Sequence, residues 1–173
     1  MKLLLILFTV TMTTAPLYQF NSKSANDWQI IDDRVMGGVS QGEFSVNDNG
    51  IGIFSGEVST ANNGGFSSVR MSLNSDKLTA NKNFILKVKG DGKSCQFRVK
   101  TNQYAKHSYI YTFETNGDWQ EIKIPFKKMF ASWRGRKLDM PNYDGSAIEE
   151  MRFLIANKKN ENFKLEMDWI KVD

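Results

Sequence analysis

The stretch that decides the fold is "NFILKVKGDGKSCQFRVKT", residues 83–101, in which apolar and polar side chains alternate on both sides of a glycine-containing turn. In its first half, Phe84, Leu86 and Val88 fall on one side and lysines fall on the other. A repeat of two residues is typical of a half-buried β-strand. The Asp-Gly pair supplies the positive φ that a tight hairpin needs, so the stretch predicts two strands joined by such a turn.

The same alternation recurs along the rest of the chain, while the period of a helix is nearly absent. The later runs are "SYIYTFE" (108–114), "QEIKIPF" (120–126), "EMRFLIAN" (150–157) and "NFKLEMDWIKV" (162–172), and turn signals such as "NDNG" (47–50) and "TNGD" (115–118) separate strand-like segments. Many short strands divided by such turns are typical of an antiparallel sandwich or barrel. We predict an all-β antiparallel β-sandwich of roughly eight to ten strands.

The composition fits one globular domain. The sequence has 173 residues, of which 40% are hydrophobic and 24% charged, and no repeat or polar linker divides it. A chain of this length buries a sizeable core. The formal net charge is +4, which is too small for strong nucleic-acid binding, so no nucleic-acid partner is predicted.

The N-terminus has the pattern of a secretory signal peptide. Lys2 precedes an apolar run from Leu3 to Val10, and small residues follow up to Ala15, whereas a mitochondrial transit peptide would be rich in Arg and Ser. The run is shorter than the ~20 residues that cross a bilayer, so no stable membrane span is predicted. We predict a signal peptide over residues 1–15, a single β-sandwich domain over residues 16–173, and a protein that is periplasmic or secreted if the leader is removed and cytoplasmic otherwise.

Two glycine pairs, in "VMGGVSQG" (35–42) and "NNGGFSSVR" (62–70), raise the possibility of phosphate-binding loops. Such loops need Gly-Lys-Ser/Thr before a helix, or G-x-G-x-x-G between a strand and a helix. Neither pattern occurs, and both segments run into strand-like sequence. We therefore predict that the glycines let two loops pack closely at a corner of the sandwich.

The residue types that carry catalysis or bind metals are sparse. His107 and Cys95 are each the only residue of their kind, so the sequence offers no set of transition-metal ligands, no disulfide and no histidine-based triad beside a nucleophile motif. Loop acids leave glycoside hydrolysis open, because the spatial separation of two carboxylates decides it. We predict no catalytic residue, no metal ligand, no cofactor and no enzymatic activity.

Alternation after Gly65 places Arg70 on the polar side of its strand, and Arg98 has the same position in its own run. A solvated sheet face and a binding surface both remain open. As a binding surface, its candidate residues are Asp32, Asp33, Asn62, Asn63, Phe66, Arg70, Arg98, Trp133 and Arg134. We predict that the two glycine loops meet at its rim and that Asp32 or Asp33 holds Arg70, because a guanidinium favours a planar carboxylate.

The segment "IKIPFKKMFASWRGRK", residues 122–137, interleaves six cations with aromatic residues. This pattern can bind an acidic protein or an anionic surface. It also fits a long loop whose aromatic residues pack on the sandwich while its cations stay solvated.

Five blocks of the sequence, spanning Leu17 to Val172, resemble successive blocks of the complex I intermediate-associated protein 30 family. They are "DDRVMGGVSQGEF", "FSGEVSTANNGGFSSVR", "LKVKGDGKSCQFRVKT", "DWQEIKIPFKKMFASWRGR" and "FKLEMDWIKV". The resemblance implies a galactose-binding-like jelly roll, similar to some carbohydrate-binding modules. It also implies a non-enzymatic role, since mitochondrial members are assembly factors for NADH:ubiquinone oxidoreductase.

The predicted function is therefore a non-enzymatic binding module, an assembly factor or chaperone, that binds a protein partner through its loops or its polar sheet face. The alternative is a carbohydrate-binding module, which would need exposed rings to stack on sugar. The available rings are those of Tyr104, Tyr109, Tyr111 and Trp133.

Overall fold

The computed structural model describes residues 15–173, so the predicted signal peptide lies outside the described residues except for Ala15. The strands are β1 (Tyr18–Gln19), β2 (Trp28–Asp32), β3 (Gln41–Val46), β4 (Gly52–Val58), β5 (Ser67–Ser72), β6 (Asn83–Gly90), β7 (Ser94–Lys100), β8 (Ser108–Glu114), β9 (Trp119–Pro125), β10 (Phe130–Trp133), β11 (Arg136–Lys137), β12 (Glu150–Ile155) and β13 (Glu161–Val172). Short 3-10 turns cover Ser24–Asn26, Asp33–Met36, Ala61–Asn63 and Phe126–Lys128. Within residues 15–173, no helix has the length and apolar character needed to cross a membrane.

The strands form two antiparallel sheets. The six-stranded sheet has the order β3-β4-β13-β6-β9, with β1 also paired to β13, and the seven-stranded sheet has the order β11-β10-β8-β7-β12-β5-β2. The predicted all-β sandwich is confirmed. The thirteen strands of residues 15–173 outnumber the roughly eight to ten expected, because β1 and β11 are only two residues long and β10 only four, too short to show clear alternation.

The quoted stretch forms both predicted strands, but these strands do not pair as a hairpin. β6 pairs with β13 and β9, whereas β7 pairs with β8 and β12 in the other sheet. The turn between them therefore carries the chain across the sandwich, and Gly92 has the predicted positive φ, +84°. The two strands direct their apolar sides into one core from opposite sheets, where the rings of Phe84 and Phe97 lie 5.2 Å apart.

The core lies between the two sheets and is rich in aromatic rings. Its fully buried side chains include Phe54, Phe84, Phe97, Phe153, Leu86, Ile124, Met129, Ile148, Met151, Leu165, Met167 and Ile170. The ring of Phe153 lies 5.3 Å from that of Phe97 and 5.9 Å from that of Trp28. These inward side chains fix, by alternation, which side chains of the seven-stranded sheet point outward.

One outward row of this sheet is rich in arginine. Arg70 of β5 is in register with Arg152 of β12, and Arg152 is in register with Arg98 of β7. Gln29 and Ile110 continue the row on the two flanking strands. Side chains opposite each other on neighbouring antiparallel strands lie side by side, so three guanidinium groups share the middle of this face.

Candidate binding site on the seven-stranded sheet

The carboxylate of Asp33, directly after β2, joins the two glycine loops. It is fully buried; its Oδ1 accepts a hydrogen bond from the Ser40 amide at 3.0 Å. Its Oδ2 accepts bonds from the amides of Gly65 at 2.6 Å and Phe66 at 3.2 Å, and from the Ser40 hydroxyl at 2.5 Å. Burial alone would raise the pKa of this carboxyl, but the bonds from Ser40, Gly65 and Phe66 outweigh burial and lower the pKa below its usual value.

The two loops meet at a corner, as predicted, and their glycines allow it. A side chain at Gly38 would collide with the Asp33 carboxyl, and one at Gly64 would approach Oδ2 of Asp33 to 2.5 Å. Gly65 has open space around it, but its φ of +129° lies in a region that side chains rarely adopt. The glycines thus surround a buried carboxylate rather than a phosphate.

The prediction that Asp32 or Asp33 holds Arg70 is wrong. Asp32 accepts bonds from the Gly42 amide at 2.9 Å and the Ser67 hydroxyl at 2.6 Å, and the glycine loops occupy the Asp33 carboxylate. Arg70 instead lies 3.4 Å from the carboxylate of Glu150. The physical reason is the strand order, because β12 inserts beside β5 and brings Glu150 next to Arg70 from a distant part of the sequence.

Glu150 is the acidic residue that forms ion pairs on this arginine-rich face. Its side chain is 5% exposed, and besides Arg70 it binds Nη2 of Arg152 at 3.0 Å and Nε at 3.1 Å. One buried carboxylate therefore pairs with two arginines and leaves a net positive charge on the cluster. Burial lowers the pKa of Arg152, although Glu150 opposes this effect.

Arg98 has no acidic partner among the described residues, and none of their ion pairs includes it. Its Nε and Nη2 donate to Oε1 of Gln96 at 3.0 and 2.6 Å. Burial, followed by repulsion from Arg152, lowers the pKa of Arg98 to about 10. Lys100, two residues further along β7, donates to the carbonyl of Ala105 at 2.8 Å; burial also lowers its pKa.

A groove of about 510 Å³ opens where the glycine loops meet this arginine row. The sheet contributes Arg98, Arg152 and Leu154, the glycine loops contribute Met36, Asn63 and Phe66, and the turn between β10 and β11 contributes Arg134. Leu154 points outward by alternation yet is buried, because the loops stand over it. The groove therefore has a cationic part and an apolar part.

Four of the nine candidate residues line this groove: Asn63, Phe66, Arg98 and Arg134. Asp32 and Asp33 instead lie within the loop corner, Arg70 belongs to the ion cluster with Glu150, and Asn62 and Trp133 lie outside the groove. Sequence reasoning missed Met36, Glu150, Arg152 and Leu154. Alternation in "EMRFLIAN" was the available signal for Arg152, because Met151 and Phe153 are the inward side chains of that run.

The basic segment 122–137 does not form the long loop of the solvated interpretation, because most of it belongs to β9, β10 and β11, but it buries an aromatic ring and keeps cations exposed as that interpretation expected. Phe126 and Met129 are buried in the core. Its lysines at 127, 128 and 137 are exposed. The Trp133 ring has two cations near it, since the Arg134 guanidinium lies 5.2 Å and the Lys106 ammonium 5.8 Å from its centroid.

The packed antiparallel sheets define the class of this protein, a jelly-roll β-sandwich. The family 11 carbohydrate-binding module of a cellulosomal cellulase from Clostridium thermocellum is similar, with a TM-score of 0.64 and 19% identity over 84% of this chain and 86% of that one. An exo-β-agarase is similar with a TM-score of 0.58 and 9% identity, over 92% of this chain and 25% of that one. At such identities the likeness shows the fold alone.

The sequence itself assigns the family. The family model of complex I intermediate-associated protein 30 matches residues 18–167, and the chain belongs to this family. The mitochondrial complex I intermediate-associated protein 30 of Mus musculus is 34% identical over 94 residues, which cover 50% of this chain and 29% of that protein. A probable mitochondrial member from Caenorhabditis briggsae is 28% identical over 182 residues, which cover 90% of this chain and 53% of that protein. The chain thus spans about half or less of the length of these curated relatives.

The relatives also correct the predicted location. The mouse, Drosophila melanogaster and two Caenorhabditis proteins are all named as mitochondrial. This contradicts the expectation of an exported or otherwise cytoplasmic protein. The error arose because that expectation used the apolar leader alone, which lies outside the described residues except for Ala15.

Proposed function

We propose that this chain is a non-enzymatic assembly module that acts on mitochondrial complex I and binds a protein partner through the outward face of its seven-stranded sheet. Its family and the names of its relatives support the role. The observation that carries the choice of surface is the groove, where two loops, a sheet row and a turn converge beside exposed apolar side chains.

The apolar part of the proposed interface is the loop after β2. Val35, Met36 and Val39 are 73%, 59% and 44% exposed. The buried Asp33 carboxylate anchors this loop at both of its ends, through its own backbone and through Ser40. Apolar side chains held outward on an anchored loop favour contact with another protein.

Carbohydrate binding is the second candidate, because the similar solved structures include carbohydrate-binding modules. The positions of the aromatic rings weigh against it. Tyr109 and Tyr111 pack against the core, and Arg134 and Lys106 lie over Trp133. Tyr104 is exposed but does not line the groove. A protein partner is therefore the better proposal.

The test compares two exposed methionines that differ in position. Met36 lines the groove, whereas Met140 is 41% exposed and lies outside it. Tagged wild-type protein and the variants Met36→Asp and Met140→Asp are expressed in mitochondria of the source organism and followed on native gels with antibodies to complex I subunits. We expect wild type and Met140→Asp to comigrate with partly assembled complex I, and Met36→Asp to migrate alone.

Two results would contradict the proposal. If wild type never comigrates with complex I subunits, the assembly role is wrong. If Met36→Asp comigrates as well as wild type, the surface is wrong. Binding of the wild-type protein to a mixed-linked β-glucan, without comigration, would favour the carbohydrate candidate.

A further inference from the structure

The charges on the arginine-rich face do not balance. Three adjacent rows of outward side chains cross the sheet here. The middle row contains Arg152, one neighbouring row contains Glu150, and the other contains Leu154. Together with β5 and β7 these rows carry four cations, at Arg70, Arg98, Lys100 and Arg152, and a single acid, Glu150. An isolated sheet face gains nothing from such an excess, because like charges opposite each other are destabilising.

Arg98 is a cation of this excess that lines the groove. Its guanidinium has five N–H donors, and Gln96 engages only Nε and Nη2. Arg152 lies directly opposite on the neighbouring strand, and Glu150 already binds Arg152 through Nε and Nη2. Arg98 is half-buried, lies opposite another arginine and has no acid partner among the described residues. It therefore has unused N–H donors at the groove. Planar carboxylates are the preferred partners of such donors.

The rest of the groove is apolar. Leu154 is buried beneath it, and Phe66 and Met36 form its wall on the side of the glycine loops. Arg134, in the turn between β10 and β11, is exposed at the opposite edge. The volume of about 510 Å³ lies within the range of ~300–1,000 Å³ that is usual for ligand pockets. A ligand that fits must bring a carboxylate and an apolar side chain close together.

We propose that this groove binds an acidic segment of the protein partner, with Arg98 and Arg152 on an Asp or Glu carboxylate and with Met36, Phe66 and Leu154 around a neighbouring apolar side chain. The proposal rests on the proposed function and specifies the chemistry of the partner. Phe66 is the only aromatic residue that lines the groove among the described residues. An acidic sugar would stack on several exposed rings, so the groove favours an acidic peptide over an acidic sugar.

The direct test measures binding of fluorescein-labelled peptides to the folded chain by anisotropy. The probes are a peptide of alternating Asp and Leu and the same peptide with Asn in place of Asp. We expect the Asp peptide to bind about tenfold or more tightly than the Asn peptide, and its affinity to fall with added salt, because the attraction is electrostatic. Equal binding of both peptides would overturn the proposal.

Charge-removing variants locate the site. Arg98→Gln should weaken binding of the Asp peptide about tenfold or more, and Arg134→Gln several-fold, because Arg134 is exposed at the edge. Arg136→Gln is the control, since Arg136 is exposed and lies outside the groove. Arg98→Gln should also melt no lower than wild type, because it removes a half-buried charge that has no acid partner within residues 15–173. If both Arg98→Gln and Arg134→Gln bind like the control, the proposal is wrong.

These experiments distinguish a failure of the acidic-segment proposal from a failure of the proposed assembly function. If Arg98→Gln loses the Asp peptide yet comigrates with complex I as wild type does, the partner does not use this groove and the inference fails while the assembly role stands. If wild type binds oligogalacturonate more tightly than the Asp peptide, the ligand is an acidic sugar and the inference is overturned. Loss of both peptide binding and comigration in Arg98→Gln supports it.

Discussion

Replacing Asp33 by asparagine should destabilise the protein more than its small change in shape suggests. The side chain is fully buried, and four donors converge on its two oxygens: the Ser40 amide on Oδ1, and the Ser40 hydroxyl and the amides of Gly65 and Phe66 on Oδ2. Asparagine has one side-chain oxygen, so its NH2 group must face at least one of these donors.

The expected loss of stability follows from the number of hydrogen bonds that Asp33→Asn removes or weakens. An unsatisfied buried donor costs ~1–3 kcal/mol, and the remaining bonds lose the extra strength that a charged acceptor gives. Together these losses predict that Asp33→Asn lowers the free energy of unfolding by about 2–5 kcal/mol. Such a loss is a large share of the ~5–15 kcal/mol that holds an ordinary domain folded.

Urea unfolding measures this loss, as a shift of the midpoint at an unchanged slope. Asp139→Asn is the matched control, because Asp139 is an exposed loop acid, and it should stay within ~0.5 kcal/mol of wild type. If Asp33→Asn also stays within that range, the carboxylate is not what joins the loops and the reasoning is refuted.

The same residue predicts a pH dependence. The pKa of Asp33 in the folded protein is below its ordinary value of 3.8. A carboxyl whose folded pKa is lowered stabilises the protein above its unfolded value, and this contribution is lost as the pH falls through the folded pKa. The stability difference between wild type and Asp33→Asn should therefore be full near neutral pH and shrink below about pH 4.

Three other substitutions or measurements test separate features. Gly65→Ala should cost ~1–3 kcal/mol in urea unfolding through backbone strain alone, since its φ is +129° with open space around it; a neutral effect would contradict the strain. Arg70→Ala should cost under ~1 kcal/mol, because Arg70 is 37% exposed and contacts Glu150 only at 3.4 Å; a larger loss would show that this pair matters more. Burial raises the pKa of Cys95 to about 12, so a thiol reagent at neutral pH should label it only after unfolding, and rapid labelling of the native protein would disprove this.

Alternation in the sequence was enough to predict which side chains face outward. Arg70 and Arg98 lie on the outer face for the same reason that Phe97 and Val99 lie in the core. Turn signals were less informative. "NDNG" closes a hairpin between β3 and β4, whereas "KGDGK" carries the chain between sheets. Both turns need a residue with positive φ, so local chemistry alone does not separate a hairpin from a crossing.

The contacts in the candidate site depend on which strands are neighbours in the sheet, and the order of residues in the sequence does not show this. Arg70 and Glu150 are 80 residues apart, and they meet because β12 inserts between β5 and β7. The sequence predicted Asp33 as an acid partner of Arg70. Its carboxylate instead accepts hydrogen bonds from the amides of a glycine loop. Ion pairs across a sheet follow from strand order, and strand order is set by the packing of the whole core.

The position of β13 has a consequence for how the protein is made. This strand follows the other twelve strands of residues 15–173, yet it lies in the interior of its sheet, between β4 and β6. Until residues 161–172 leave the ribosome, β4 and β6 each present an edge with unpaired backbone groups, and such edges invite aggregation. The sheet therefore cannot close before residues 161–172 have been synthesised, and until then β4 and β6 of the nascent chain need protection from other chains.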